Sequence, residues 1–236
     1  MPYFGTIIPL IEIKAGFVPA LDRDYLKREE ENLFNSLWQQ GQALVLPMNG
    51  SKVLLTAGGE LKFLPTSAVP EPSTLVYLGV HLGNQTPIVL AILGENEASK
   101  LEPELENWHG LRRSGIGLSP SDAAIFTQGL ALANWHATHQ HCPRCGGLTQ
   151  VTRAGWVRYC ANDDLELFPR TDPAVIVGVI DSEDRILLGS QGVWEENRYS
   201  ILAGFVEPGE SLEAAVIREM NEEAGIVVSN PKYLGS

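Results

Sequence analysis

Three glutamates packed into one short stretch, Glu219, Glu222 and Glu223, are the strongest chemical feature of this 236-residue chain. On a helix, positions i, i+3 and i+4 share a face, so the three carboxylates would be presented together. Ser211 is a good N-cap and Gly225 a good C-terminal stop, which predicts a helix over residues 212–224. Leu212, Val216 and Met220 recur at i, i+4 and i+8 and are expected to form its buried side. Carboxylates this close repel one another and weaken a bare helix. Hard oxygen ligands so arranged hold Mg²⁺ or Mn²⁺.

A second cluster is built for a softer ion. His141-Cys142-Pro143-Arg144-Cys145-Gly146-Gly147 sets two thiolates at C-x2-C spacing, and the glycines allow the tight turn that lets both converge on one Zn²⁺. Cys160 supplies a third thiolate after a hairpin-like stretch. A second C-x2-C would place its last cysteine at residue 163, and the sequence has Asp163 there. Asp163 can complete a Cys3Asp site, His141 or Asp164 can do so instead, or the site is vestigial with its thiols buried and reduced. In each reading the role is structural, because a small hairpin module has little core and needs a staple. Three cysteines leave one over, which excludes a disulfide framework.

Residues 204–226 read GFVEPGESLEAAVIREMNEEAGI. They satisfy G-x5-E-x7-R-E-U-x-E-E-x-G-U, with U a bulky aliphatic residue, at every fixed position: Gly204, Glu210, Arg218, Glu219, Met220, Glu222, Glu223, Gly225 and Ile226. On these residues the sequence resembles the Nudix hydrolases. The resemblance implies that Glu219 and Glu223 bind Mg²⁺ or Mn²⁺ directly, helped by the main-chain carbonyl of Ala203, and that Glu222 contributes through metal or its water. It implies that Glu210 pairs with Arg218 to orient the helix. By the same resemblance, Glu219, Glu222 and Glu223 are the expected catalytic set, with Glu223 as general base. The cations offset the charge of a diphosphate and activate the water that attacks phosphorus.

The order of parts narrows the resemblance. NWHATHQHCPRCGG, a ribbon, FPRTDPAVIV and then the box is similar to the NADH pyrophosphatases, specifically over about residues 105–236. This implies hydrolysis of NADH or NAD to nicotinamide mononucleotide and AMP, with NAD caps on RNA as a further substrate, in a homodimer. Arg112 and Phe168 fall where the family places substrate contacts. Phenylalanine at the latter position keeps the stacking of the family's frequent tyrosine and loses its hydroxyl. The family motif Ser-Gln-Pro-Trp-Pro-Phe-Pro should follow the box, but the sequence ends at Ser236. A Nudix domain truncated after its box is therefore expected, with activity belonging to the complete protein. Two alternatives stand beside this reading: hydrolysis of ADP-ribose or another dinucleotide, and a non-catalytic, truncated relative that binds a nucleotide or a partner.

The elements that must position these groups give an α+β chain. An N-terminal mixed α/β domain spans residues 1–110, a connecting helix 111–139, a zinc-ribbon-like hairpin module 140–169, and a partial Nudix α/β/α sandwich with a mixed sheet 170–236. Asp22 is expected to cap a helix carrying Leu26, Leu33, Leu37 and Trp38, ended by Gly41. Asn49-Gly50 between apolar runs predicts a hairpin, and TLVYLGV and PIVLAIL two further strands. Ser119-Pro120 starts a helix to about residue 139, with Ala124, Leu130, Ala131 and Trp135 buried, and His136 and His139 suited to its C-terminal dipole. After Pro169 the runs AVIVGVI, RILLGS, YSILAGFVE, a helix and IVVS predict a β-β-β-α-β order.

Composition sets outer limits. With 17 basic and 29 acidic residues the net charge is −12, which opposes non-specific binding along a nucleic acid and disfavours a ribbon of that function. No apolar run is long enough to span a membrane, and the start of the chain lacks the basic residues and cleavage site of a signal peptide, so a cytoplasmic location is expected.

Overall fold

The structure, a computed structural model, describes residues 19–70 and 74–236; the N-terminal stretch read for a leader lies outside them. The chain forms two compact bodies. Residues 16–170 make one and residues 171–236 belong to the other.

The larger body is organised by a seven-stranded sheet, in the order β1 (Leu21–Asp22), β5 (Thr74–His81), β6 (Pro87–Leu93), β2 (Leu44–Asn49), β3 (Lys52–Leu54), β7 (Trp108–Gly110), with β4 (Leu64–Pro65) also paired to β2. Among the described residues only β2 and β6 run parallel; the other pairs are antiparallel. Side chains alternate faces along a strand, and the alternation sorts the core. Leu46, Met48, Val76, Leu78, Ile88 and Leu90 face helix α4 (Pro120–Thr138) and its Ile125, Phe126, Leu132 and Ala133. Their neighbours Tyr77 and Val89 face the other way, onto Leu33 and Leu37 of α1 (Leu33–Gln40). Val45 and Ala91 meet Ala98 of α2 (Glu95–Leu101) and Trp108. A one-turn helix, α3 (Leu111–Ser114), leads into α4.

The strands read as TLVYLGV and PIVLAIL are β5 and β6. The hairpin forms one residue later than Asn49-Gly50 suggests: Asn49 still pairs with Lys52, and Gly50 alone takes positive φ. Asp22 does not cap a helix; it lies in β1. The expected single helix is instead a 3-10 turn, Tyr25–Glu29, separated from α1. Tyr25 and Leu26 of that turn are exposed, so no burial favours continuing the helix through it. In α4, Ser119 caps as expected by accepting from the Asp122 amide at 3.1 Å. Ala131, however, is exposed, and Ile125, Phe126, Leu132 and Ala133 carry the contact.

The ribbon is a three-stranded antiparallel sheet, β8 (Gln150–Thr152), β9 (Val157–Cys160) and β10 (Leu165–Leu167). It belongs to the larger body by close packing. Gly155, at φ 91°, lies so near β5 that a Cβ there would sit 2.7 Å from the Leu75 carbonyl oxygen. Trp156 donates its indole N–H to the Tyr77 carbonyl at 2.7 Å, beneath the Arg28 guanidinium at 3.7 Å from the ring centroid.

In the second body, β11 (Ala174–Val177) and β12 (Leu202–Phe205) pair antiparallel and helix α5 (Leu212–Ala224) packs on them. RILLGS is not a continuous strand and is held by isolated bridges, Ile180 to Ile186 and Gly189 to Ser200. IVVS is irregular, with no partner strand among the described residues. On α5, Met220 is buried with Ala215, Val216 is half-buried, and Leu212 in the first turn is exposed, as are residues 221–224 at its end.

Candidate active site and metal centre

The acidic helix is fixed by local rules. Ser211 accepts from the Ala214 amide at 3.2 Å, and Gly225 ends the helix at φ 65°, a left-handed value that glycine takes without strain. One cation organises the carboxylates. Arg218 donates from Nη2 to Glu210 at 2.6 Å and from Nε to the other Glu210 oxygen at 3.2 Å. Its Nη1 donates to Glu219 and Glu222, each at 3.0 Å, and its Nη2 also to the Phe205 carbonyl at 2.8 Å. Hydrogen bonds from Arg218, with the Glu207 amide adding to them, hold the Glu210 carboxyl below its usual range. That carboxylate in turn raises the Arg218 pKa. The Glu210–Arg218 pair is therefore in place, and Arg218 also grips two of the three glutamates expected to be catalytic. The latter contact was partly readable, since Arg218 and Glu222 stand at i and i+4.

Gly204 completes the arrangement from the sheet side. A Cβ on Gly204 would overlap the Glu219 carboxyl group, so only glycine lets that side chain lie against β12. Ala203, whose carbonyl is the expected main-chain ligand, is the neighbouring residue in β12, paired with Ile176. Glu223 is exposed near the end of α5. The donor set is all oxygen, as Mg²⁺ or Mn²⁺ requires, and two of its carboxylates already converge on one positively charged nitrogen.

The thiol cluster is tighter. Among the described residues, the group of three or more potential ligands found gathered is Cys142, Cys145, Cys160 and Asp163, whose ligand atoms all lie within 4.8 Å of one another. Cys142 Sγ is 3.2 Å from Asp163 Oδ2, and the Cys145 and Cys160 sulfurs are 3.5 Å apart. Backbone amides of Arg144 and Gly147 point at Cys142 and Cys145, at 3.5 and 3.4 Å. Hydrogen bonding to Asp163, ahead of its contacts with the other cysteines, pushes the Cys145 thiol up to about 11. His141 and Asp164 stand outside the group. The His141 backbone bridges to Leu148, and the Asp164 carboxylate accepts from the Tyr159 hydroxyl at 2.8 Å.

Behind the ribbon lies a lock that the sequence did not reveal. Arg158 on β9, buried, donates to Thr149 Oγ1 at 2.7 Å, to the Thr149 carbonyl at 3.2 Å and to His136 Nδ1 at 3.1 Å. His136 Nε2 meets the Gly155 carbonyl at 2.8 Å, which assigns the proton to Nε2 and leaves Nδ1 as acceptor. Burial above all lowers the His136 pKa, with the Arg158 charge adding to it against the Gly155 hydrogen bond. The expected helix-dipole role of a charged His136 is thus replaced by a neutral ring in the core. Of the two expected substrate contacts, Arg112 is exposed on α3 and Phe168 is exposed just past β10.

A strand and helix holding glutamates around one arginine, preceded by a ribbon that gathers three cysteines and an aspartate, define a protein of the Nudix type. The comparisons place it further. Residues 42–135 match the NADH pyrophosphatase-like rudimentary NUDIX domain, residues 137–168 the NADH pyrophosphatase zinc ribbon domain, and residues 169–236 the NUDIX domain. The chain belongs to the Nudix family, with the domain order of its NADH pyrophosphatase branch. It is similar to the NAD-capped RNA hydrolase NudC of Mycobacterium tuberculosis, 39% identical over 193 residues that cover 81% of this chain and 58% of the relative. It is 31% identical over 199 residues to the human NAD-capped RNA hydrolase NUDT12, covering 71% of this chain and 43% of that protein. The chain therefore spans little more than half the length of the first of these relatives and less than half of the second. No helix among the described residues is long and apolar enough to cross a membrane.

Proposed function

We propose that this protein hydrolyses the diphosphate bond of NADH or NAD, giving nicotinamide mononucleotide and AMP, with Mg²⁺ or Mn²⁺ held by Glu219, Glu222, Glu223 and the Ala203 carbonyl. The observation that carries the reading is Arg218 Nη1, which draws the Glu219 and Glu222 carboxylates to one point at 3.0 Å each beside the glycine of β12. When bound, the divalent ion offsets the diphosphate charge and makes the attacking water more acidic. Glu223 takes the proton as that water attacks one phosphorus, the bridging P–O bond breaks, and the other phosphate leaves with the bond pair. Glu210 and Arg218 hold the helix in register. Arg112 and Phe168 contact the dinucleotide, Phe168 by stacking on a ring. The ribbon thiolates hold Zn²⁺ for structure. The protein works as a cytoplasmic homodimer, as the family resemblance implies.

NAD-capped RNA is the second substrate, supported by the names of the similar mycobacterial and human proteins. With a net charge of −12, recognition would centre on the capped end and not on the RNA backbone. The test is release of AMP from NADH by the complete protein with Mg²⁺ or Mn²⁺, beside Glu223→Gln and beside ADP-ribose as competitor substrate. Metal-dependent release, reduced by about two orders of magnitude or more in the variant, is expected. Equal rates in the variant, or a clear preference for ADP-ribose, would overturn the assignment.

A further inference from the structure

The ribbon departs from an all-cysteine centre at one position, and the geometry there is specific. Zinc bonds of about 2.3 Å to sulfur and about 2.1 Å to oxygen put the corners of a tetrahedral site about 3.8 Å apart for two sulfurs and about 3.6 Å for sulfur and oxygen. The sulfur–oxygen distances straddle the second value, and the sulfur pair lies slightly inside the first. Cys145 and Cys160 are 3.5 Å apart, and Asp163 Oδ2 is 3.2 Å from Cys142 Sγ and 3.9 Å from Cys160 Sγ. A carboxylate so placed stands at a corner of the tetrahedron, not beside it. Of the competing ligands, Asp164 accepts from the Tyr159 hydroxyl and His141 lies outside the group.

Charge supports the same residue. Aspartate and cysteinate each bring one negative charge, so three thiolates and Asp163 carry the same total as four thiolates. A histidine in their place would bring none. What changes is softness. One corner becomes a hard oxygen, and soft ions gain less from the site than they would from a fourth sulfur. The amide donors at Arg144 and Gly147 serve the sulfurs of the first knuckle and do not compensate at the fourth corner.

We propose that Asp163 completes a Cys142–Cys145–Cys160–Asp163 zinc centre, and that its single hard oxygen makes this centre less selective for thiophilic ions such as cadmium than an all-thiolate ribbon. The inference rests on the reading that the ribbon holds zinc. The experiment uses the full chain, stripped of metal and reloaded with Zn²⁺, Co²⁺ or Cd²⁺ separately and in competition. The near-ultraviolet thiolate-to-cobalt absorption should match three sulfurs and rise by about a third in Asp163→Cys, because each thiolate contributes its own transition. That variant should also shift the partition between zinc and cadmium several-fold toward cadmium. Asp163→Asn should lower zinc affinity several-fold, and His141→Asn and Asp164→Asn should leave it unchanged. A wild-type chain that binds neither zinc nor cobalt overturns the zinc reading itself. A chain that binds metal but is unaffected by Asp163→Asn, or that loses it on His141→Asn, overturns Asp163 as ligand. An unchanged cadmium partition in Asp163→Cys overturns the selectivity.

Discussion

Replacing Arg158 by methionine tests the lock behind the ribbon. The guanidinium makes three hydrogen bonds, at 2.7, 3.1 and 3.2 Å, and two of its acceptors, the Thr149 carbonyl and His136 Nδ1, are buried and have this donor as their partner. Thr149 Oγ1 keeps its own donation to the Gln140 carbonyl. Leaving a buried acceptor unpaired costs about 1–3 kcal/mol. Two acceptors therefore lose roughly 2–6 kcal/mol. The methionine returns part of this, because the buried cation no longer has to be desolvated. A net loss of about 2–4 kcal/mol remains. For a body of this size each kcal/mol moves the melting temperature by about 2–4 °C, so the variant should melt roughly 5–15 °C lower. Thermal unfolding followed by tryptophan fluorescence reads this directly, since Trp135 and Trp156 lie beside the lock. Arg158→Lys should fail nearly as badly, because one ammonium group cannot reach three acceptors spread around a planar fork. A methionine variant melting within a degree or two of the parent would refute the reasoning and mean that water serves these acceptors.

Other outcomes are equally specific. His136 has its pKa lowered in the folded state, chiefly by burial, so below the unfolded value of about 6.5 the unfolded chain binds a proton that the folded chain does not. Stability should be fully present above that value and fall as pH drops below about 6.5. The slope of melting temperature against pH should flatten in His136→Gln. Gly204→Ala forces a methyl group into the Glu219 carboxylate and should lower metal-dependent hydrolysis by about a hundredfold; circular dichroism should show α5 intact, and retention of full activity would mean Glu219 is not needed where it lies. Gly155→Ala drives a Cβ against the β5 backbone, and it should lower the melting temperature of the larger body while leaving the zinc content of purified protein unchanged.

What could be read from sequence was what short spacing encodes. Ser119 and Ser211 as caps, Gly225 as a stop, the apolar runs of β5 and β6 and the face shared by the glutamates are all decided within a few residues. The failures share a cause. Asp22, Leu212, RILLGS and IVVS each carry the right local pattern, and each depends on a partner element to realise it. Leu26 has helical spacing to Leu33 but meets no core, and IVVS has strand composition but no neighbouring strand among the described residues. The Arg158–His136 lock was invisible for a related reason. It joins positions 22 residues apart through a buried contact with no periodicity and no motif. At the site, spacing made the carboxylates and the Glu210–Arg218 pair legible. The role of Gly204 as the seat for Glu219 needed the third dimension.

The approach of Gly155 to β5 makes the ribbon inseparable from the sheet. With its carbonyl bound by His136 and its α-carbon against the Leu75 backbone, this one residue ties strand, helix and ribbon at a single junction. Such a junction opens only when all three parts open, so the ribbon should exchange its amide protons and yield to proteases on the timescale of the whole body. A small domain that would be a floppy appendage by size thereby inherits the cooperativity of the sheet it leans on.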